Sequence, residues 1–362
     1  MTSIQRNIKN LNRKNIVIFC QSPSDVKYLL SVYSEYKGSQ ISIFVINVRS
    51  VFDFLVSLNL NVLELKFIKY KFVNFKNPFS IIREKIRINK LKTYYFKKYN
   101  NVNVFFFSRF EDWLTASFIL YFESRSESIF YLNHYDDAIS NSNIVVSNPR
   151  YSRIILGFIL KYITGVNFLM TRVFRYPEFP VSYYKIIEQK PIVDPIVFKQ
   201  YSVTFKFEKV FKKKVLFFIS PPDQLMYDID YYNELSMDII NILINSGYKV
   251  FIKGHPRVGL PIFLQTAILC ELGIEVLPQG IPGEFIDFSY FDLCLGIDST
   301  ILPILAEKQF VDVLCFINLF KSNENGLFDE IKEYLLHLSP KLLKYINTME
   351  EFKLFLNEKE NV

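Results

Sequence analysis

Short apolar runs alternate along the first part of the chain with longer segments whose apolar residues recur at helical spacing. Runs without polar alternation are typical of strands that are buried on both faces of a parallel sheet. Ser22 and Pro23 suit the cap and the first turn of the first helix. The pattern therefore predicts an α/β fold. The predicted strands cover residues 16–20, 41–46, 62–67, 102–107 and 128–132, and the predicted helices cover 22–36, 51–58, 81–98 and 111–121.

The same alternation begins again after a less regular middle. Prolines interrupt the chain repeatedly between residues 176 and 196, so we place a domain boundary there. A length of 362 residues leaves room for two domains of roughly 150 residues each. We expect Rossmann-like domains over 1–195 and 196–362. In the second domain the predicted strands cover 215–220, 248–253, 274–277, 293–295 and 311–317, and the predicted helices cover 230–246, 262–272, a short segment near 284, and 299–308.

The composition indicates a globular chain. Half of the residues are hydrophobic and 17% are aromatic, which excludes disorder over most of the length. Cys20, Cys270, Cys294 and Cys315 show no paired spacing, so neither a zinc site nor a disulfide framework is expected. The first residues are basic, but no apolar segment precedes Ile16. A signal peptide would contain such a segment. We therefore expect a cytoplasmic location.

The chain carries a net charge of +7, with basic clusters at 97–98, 172–175 and 212–214. Such clusters are usually solvated faces, although they can also meet the phosphates of nucleic acid or of an anionic lipid surface. No nucleic-acid recognition motif accompanies them. Of these two partners, the sequence therefore favours a membrane surface, and no nucleic-acid partner is expected.

Residues 153–170 form the longest apolar stretch of the chain. Lys161, Asn167 and two glycines interrupt it, whereas a membrane span needs about 20 predominantly apolar residues. A buried helix is therefore predicted. The alternative is a helix in the membrane interface, beside Arg172 and Arg175, which would give the protein a peripheral contact with the inner membrane surface.

Three segments with polar side chains lie where predicted strands end, at residues 135–138, 253–257 and 296–300. The first is Tyr-Asp-Asp-Ala, directly after His134, the second is Lys-Gly-His-Pro-Arg, and the third, Gly-Ile-Asp-Ser-Thr, adds two hydroxyls. Open parallel sheets bind their ligands at the carboxyl ends of the strands, and these side chains can move protons and hold phosphates. The pattern predicts a group-transfer site at these ends.

At these segments the chain resembles the bacterial sialyltransferases of the GT-B fold, most closely the lipooligosaccharide sialyltransferases of glycosyltransferase family 52. That family carries an Asp/Glu-Asp-Gly motif, a His-Pro motif and a Ser-Ser or Ser-Thr motif. Here they correspond to Asp136-Asp137-Ala138, His255-Pro256 and Ser299-Thr300. The resemblance extends from about residue 15 to residue 320 and implies two Rossmann-like domains facing a cleft. Ala138 departs from the family's glycine, which would tolerate a positive φ.

Transfer from a CMP-activated sugar needs a base for the acceptor hydroxyl and a proton donor or cation for the leaving phosphate. Asp137 is the candidate base, with Asp136 beside it, although the same pair could cap the following helix. His255 is the candidate acid or phosphate-stabilising donor, and Pro256 presets the turn that follows it. His134 could orient Asp137 or bind the acceptor.

The remaining candidates concern donor binding. Ser299 and Thr300 open a helix, so their hydroxyls and the first N–H groups can hold a phosphate, or can simply cap the helix. Lys253 and Arg257 add positive charge, and the resemblance places Glu284 near the nucleotide ribose. No metal is implied, because a monophosphate leaving group can be stabilised by histidine and helix-end N–H groups. The donor-binding candidates are Lys253, Gly254, Pro256, Arg257, Glu284, Ser299 and Thr300.

The sequence thus predicts an inverting, metal-independent sialyltransferase without a cofactor. It would move sialic acid from CMP-sialic acid to a terminal sugar of a bacterial surface glycan, such as lipooligosaccharide or capsule. One alternative is a GT-B glycosyltransferase with another nucleotide-sugar donor, since the fold hosts many donors. The other is a catalytically inactive, membrane-associated glycan-binding protein, which Ala138 and the basic surface would suit.

Overall fold

The computed structural model divides the chain into two compact units, unit 1 (Met1–Tyr201) and unit 2 (Ser202–Val362). The predicted boundary after residue 195 lies outside the described residues and stays a prediction. The structure describes residues 15–70, 78–107, 113–132, 151–170, 175–178, 184–185, 213–222, 227–256, 258–264, 271–299, 301–308, 311–320 and 343–360, together with residues 269, 332 and 335.

Unit 1 is built on a parallel sheet with the strand order β3-β2-β1-β4-β5-β8. The central strand β1 reads NIVIFC, and all but its first residue are buried, as expected for a strand covered on both faces. The strands of this sheet are β1 (Asn15–Cys20), β2 (Gln40–Ile46), β3 (Glu64–Ile68), β4 (Val102–Phe107), β5 (Ser126–Leu132) and β8 (Tyr184–Lys185).

Aromatic side chains hold the helices of unit 1 on this sheet. The ring of Phe96 packs edge to face against Phe19, Phe44, Phe118 and Phe122, at centroid separations of 4.9–5.5 Å. These rings join the last turn of one helix to two strands, to a second helix and to the residue that follows that second helix. The helices are α1 (Val26–Glu35), α2 (Arg49–Ser57), α3 (Pro78–Phe96), α4 (Trp113–Tyr121) and α5 (Tyr151–Thr164).

Unit 2 repeats the same topology with the strand order β11-β10-β9-β12-β13-β14. When the strands are numbered along the chain within each six-stranded sheet, both sheets run 3-2-1-4-5-6, which is the order of the Rossmann fold. The predicted α/β class with two Rossmann-like domains is therefore confirmed. The strands are β9 (Lys214–Ile219), β10 (Lys249–Gly254), β11 (Glu275–Val276), β12 (Leu293–Gly296), β13 (Asp312–Cys315) and β14 (Lys344–Tyr345), and the helices are α6 (Ile229–Asn245), α7 (Ile301–Lys308) and α8 (Met349–Glu360).

The apolar stretch at 153–170 is not the single buried helix that the sequence predicts. The helix α5 ends at Thr164, because Gly165 takes a φ of +83° and the Thr164 hydroxyl accepts a hydrogen bond from the N–H of Val166. The chain then forms β6 (Asn167–Met170), which pairs antiparallel with β7 (Arg175–Glu178). One face of α5 is exposed. Among the described helices, none is both long and apolar enough to cross a bilayer.

Smaller differences concern element ends. A turn occupies residues 262–264, where the sequence predicts the start of a helix, and Leu264 N donates to Pro261 O. The predicted strand 311–317 is shorter, because a 3-10 turn (Ile317–Leu319) follows β13. Cys20, Cys294 and Cys315 are buried within strands as predicted, and Cys270 lies outside the described residues.

Candidate functional site

The order of the strands in unit 2 defines where a ligand would bind. β9 lies between β10 and β12. From β9 the chain adds β10 and β11 on one side of the sheet, and then β12, β13 and β14 on the other side. In Rossmann-type sheets this switch point opens a crevice outside the carboxyl ends of the two central strands. Ser220 follows β9 and Asp298 and Ser299 follow β12, so these residues lie at that edge.

The carboxyl end of β10 closes into a tight turn around His255. The N–H of His255 donates to the carbonyl of Gly259 at 2.9 Å, and the N–H of Gly259 donates back at 2.8 Å. A Cβ on Gly254 would lie 2.9 Å from the Gly259 carbonyl oxygen, and Gly259 has a φ of +81°. Both glycines are therefore needed for the turn. It presents the His255 side chain at the surface.

Gln279 and Lys253 fasten this turn. The amide Nε2 of Gln279 donates to the carbonyls of His255 (3.3 Å) and Pro256 (3.1 Å). The Lys253 side chain is 3% exposed, and its Nζ donates to the carbonyls of Gln279 (3.2 Å) and Gly254 (3.4 Å). Lys253 thus bonds to the backbone of the turn. Its predicted contact with a donor is untested and stays a prediction.

A carboxylate network joins the ends of β9 and β12. The Tyr227 hydroxyl donates to Asp298 Oδ2 at 3.0 Å, and the Tyr232 hydroxyl donates to the Ser220 carbonyl at 2.9 Å. The two tyrosine rings lie 5.1 Å apart. Burial raises the pKa of Asp298 above its usual range, although the bond from Tyr227 opposes the shift, and burial also raises the pKa of Tyr227.

Two glycines bring further segments to the same edge. A Cβ on Gly296, in β12, would lie 3.0 Å from the Phe218 carbonyl oxygen of β9 and 3.1 Å from Leu302 Cδ1, so α7 approaches β12 closely. Gly283 faces Phe218 and Ile301 at ordinary contact distances. The 3-10 turn Gly283–Phe285, which contains the backbone of Glu284, therefore lies beside the start of α7.

Several predicted site residues lie at this edge. Gly254, His255 and Pro256 follow or end β10, Ser299 follows β12, and both strands pair with β9. The Ser299 carbonyl accepts a hydrogen bond from Leu302 N at 3.1 Å, so Ser299 lies at the start of α7, two residues before Ile301. Their catalytic and binding roles stay predictions.

Other predicted residues are not located by the structure. The acidic pair follows β5, which ends at Leu132, but its own residues lie outside the described ones. The backbone of Glu284 is described and its side chain is not. Within the described ranges, no cluster of His, Cys, Asp and Glu is arranged to hold a metal ion. The candidates outside the described residues are His134, Asp136, Asp137, Arg257 and Thr300.

Sequence reasoning missed three residues that shape this site, Tyr227, Gln279 and Asp298. Asp298 carries a signal, because it ends an apolar run directly before a helix-opening serine, but the motif assigns a role only to the two hydroxyls that follow it. Tyr227 and Gln279 lie in irregular segments, so no periodicity indicates their partners. Their contacts depend on long-range folding that spans 71 residues for Tyr227 and Asp298.

Comparisons with known proteins identify no family for the chain. No family model and no curated protein matches it. Similar solved structures include a UDP-N-acetylglucosamine 2-epimerase described as putative from Listeria monocytogenes, with 11% identity, 96% of each chain covered and a TM-score of 0.43. Another is the UDP-N-acetylglucosamine 2-epimerase of Neisseria meningitidis bound to its UDP-sugar (10% identity, 96% of this chain, 92% of that chain, TM-score 0.43).

A spinosyn rhamnosyltransferase in complex with the spinosyn aglycone is similar at the same level. It has 7% identity and a TM-score of 0.40, over 96% of this chain and 90% of that chain. At these identities and TM-scores the likeness establishes neither a family nor an activity for this chain. The description of the fold rests on its own strand order.

Proposed function

We propose that this chain is a glycosyltransferase that binds the nucleotide of its donor at the carboxyl edge of the unit 2 sheet. The observation that carries the proposal is that the His255 turn and the Ser299 helix start follow β10 and β12, the two strands that flank β9, and so lie at the same edge of the sheet. A helix start offers N–H groups that point away from the helix, together with the positive end of its dipole. Such a site suits a phosphate.

His255 supplies the chemistry that a leaving phosphate needs. The backbone N–H and carbonyl of His255 both bond to Gly259, and the carbonyl also accepts from Gln279, so three hydrogen bonds hold the backbone that carries the imidazole. An imidazole can donate a proton to the phosphate as the glycosidic bond breaks. Pre-positioned donors of this kind stabilise developing charge without a cost of reorganisation.

The finer assignment rests on the motif resemblance alone. It names CMP-sialic acid as the donor, a terminal sugar of a bacterial surface glycan as the acceptor, and Asp137 as the base with Asp136 beside it. The proposal of a nucleotide-sugar donor does not depend on that identity, because the phosphate site described above would serve another nucleotide sugar as well.

Nucleotide binding tests the proposed site, and turnover tests the identity of the donor sugar. The purified full chain would be titrated calorimetrically with CMP, UDP and GDP, and then incubated with CMP-sialic acid and UDP-N-acetylglucosamine while free nucleotide is measured. Binding of any one nucleotide supports the site, and release of CMP supports the sialyl donor. Saturable release of UDP instead would replace that donor, and no binding at millimolar concentration would refute the whole proposal.

A serine pair supplies a matched control for the location of the site. Ser299 and Ser246 are both half-buried serines at helix ends, but Ser246 follows α6 and precedes the amino end of β10. Loss of one hydrogen bond to a charged group costs about 1.5–3 kcal/mol, which is roughly 10-fold to 150-fold in affinity. We expect that loss of nucleotide affinity for Ser299→Ala and no change for Ser246→Ala.

A further inference from the structure

The helix α5 is apolar on two opposite faces. Leu160 and Ile163 are buried in the core of unit 1 together with Ile88 of α3. On the other face, residues at helical spacing expose large apolar side chains, and Phe158 is 69% exposed. A helix that is apolar all round is normally buried on all sides. The exposed apolar residues of α5 are Tyr151, Ile154, Ile155, Phe158 and Tyr162.

The neighbouring helix α3 extends this surface. Phe79, Ile82 and Ile86 are exposed at i, i+3 and i+7, and Phe79 is 83% exposed. The ammonium of Lys85 lies 4.0 Å from the ring centroid of Tyr162, so the two helices meet beside their exposed stripes. The exposed apolar residues of the two helices, named above, are called here the α3/α5 face. Exposed apolar side chains grouped on adjacent helices in this way are typical of an interaction site.

The exposed charges that the two helices themselves carry are all positive. The helix α3 carries five basic residues and α5 carries two. The acidic residue of α3, Glu84, is 1% exposed, and α5 contains no acidic residue. Arg83, Lys90 and Lys161 are exposed beside the apolar stripes. Apolar side chains flanked by exposed basic residues suit the boundary between lipid headgroups and acyl chains.

We infer that the α3/α5 face docks unit 1 on an anionic lipid bilayer, with the apolar stripes in the interface and the basic residues on the headgroups. The 14 residues of α5 extend about 21 Å, which is shorter than the roughly 30 Å hydrocarbon core, so the helix lies along the surface. Two copies of the chain docked face to face would bring like charges together, which disfavours self-association through this face.

Co-sedimentation of the full chain with vesicles tests this inference. Wild type should bind vesicles that contain roughly one third phosphatidylglycerol in phosphatidylcholine much better than pure phosphatidylcholine vesicles, and added salt should weaken the binding. Phe158→Ser should lower the partition coefficient about 10-fold to 100-fold, which corresponds to the burial of one large apolar side chain. Leu354→Ser is the matched control, because Leu354 is 62% exposed on α8 among acidic residues. Its binding should stay unchanged.

A variant that changes charge tests membrane docking independently of Phe158→Ser. Lys90→Glu combined with Lys161→Glu should reduce binding to the anionic vesicles by at least about tenfold, since each basic residue near the surface contributes about fivefold. Circular dichroism establishes that each variant is folded. Failure of wild type to bind the anionic vesicles, or equal binding by both variants and the Leu354→Ser control, refutes the inference. A dimer in sedimentation velocity that Phe158→Ser dissociates, without vesicle binding, would assign the face to a second copy.

Discussion

The phenol of Tyr227 donates a 3.0 Å hydrogen bond to the carboxylate of Asp298 at the carboxyl edge of the unit 2 sheet. Tyr227 is almost fully buried and Asp298 is half-buried, so water replaces this bond poorly. Tyr227→Phe should therefore lower the free energy of unfolding by about 1.5–3 kcal/mol, the range for a bond to a charged group. Chemical denaturation of the full chain measures the loss.

Tyr231→Phe is the control for that substitution. The hydroxyl of Tyr231 donates to a neutral acceptor, the backbone carbonyl of Leu319, at 3.1 Å. The expected loss is smaller, about 0.5–1.5 kcal/mol. An equal or larger loss for Tyr231→Phe would show that the carboxylate adds nothing to the bond made by Tyr227.

Gly296→Ala should destabilise unit 2 by about 1–3 kcal/mol, the usual cost of overpacking. The added methyl group would lie 3.0 Å from the backbone oxygen of Phe218 and 3.1 Å from Leu302, so α7 would be pushed away from β12. Nucleotide affinity should fall with it. Gly283→Ala is the control, because its Cβ would meet Phe218 at 3.5 Å, an ordinary contact. Equal stability of the two variants would contradict the close approach of α7.

Glu64 should stabilise the folded state of unit 1 at neutral pH but not at low pH. Burial alone would raise its pKa, but hydrogen bonds from Lys66, Tyr99 and Lys98 lower the pKa of Glu64 to about 2, from an ordinary value of 4.5. The folded state then releases the proton more readily than the unfolded state. Its stabilisation is complete above pH 4.5 and disappears as the pH falls toward 2. The difference in the free energy of unfolding between wild type and Glu64→Gln should therefore be constant above pH 4.5 and shrink as the pH falls toward 2.

Asp53→Asn is the control for Glu64→Gln, since Asp53 forms an exposed ion pair of 2.9 Å with Arg49 one helical turn away. Such pairs contribute only about 0.3–0.5 kcal/mol. At pH 7, Glu64→Gln should therefore lower the free energy of unfolding clearly more than Asp53→Asn does. A pH-independent gap between wild type and Glu64→Gln would contradict the lowered pKa.

Glu84 should have the opposite effect. Burial raises the pKa of Glu84 above its ordinary value of 4.5, and Arg87, at 3.8 Å, only partly opposes the shift. The folded state binds the proton more tightly than the unfolded state, so stability falls as the pH rises from 4.5 through the folded-state pKa. Glu84→Gln should abolish this fall and be more stable than wild type at neutral pH. A neutral or destabilising Glu84→Gln would count against the shift.

The regular parts of the fold were predictable because short apolar runs leave few alternatives. The strands at 102–107 and 293–296 occupy nearly the predicted positions, since a buried parallel strand must be apolar along its whole length. The stretch at 153–170 was predicted wrongly, because apolar composition does not reveal that Gly165 ends α5. Only the folded chain shows that one face of this helix is exposed.

The candidate site was predictable as far as strand ends mark it. His255 and Ser299 follow apolar runs, and both lie at the edge where parallel strands end. The hydrogen bonds that position these residues were not predictable. Gln279 lies 24 residues from His255, and its amide could bond to any loop carbonyl until the turn is formed.

His255→Ala should lower turnover about 10²-fold to 10³-fold while the chain stays folded, if the imidazole stabilises the leaving phosphate. The turn is closed by the N–H and the carbonyl of residue 255, at 2.9 and 2.8 Å from their partners on Gly259, and alanine retains both groups. The loss should therefore appear in kcat, with the same melting temperature and the same nucleotide affinity.

Gln279→Leu separates the imidazole from the turn that carries it. This variant keeps His255 but loses the Nε2 bonds at 3.3 and 3.1 Å to the carbonyls of His255 and Pro256. The imidazole on a loosened turn should still transfer protons, so turnover should fall less than in His255→Ala. The pH dependence of turnover in Gln279→Leu should keep the part that reflects protonation of a histidine, which His255→Ala should lose. Near-normal turnover of His255→Ala, or the same pH profile in both variants, would remove His255 from the chemistry and leave the turn as a purely structural element.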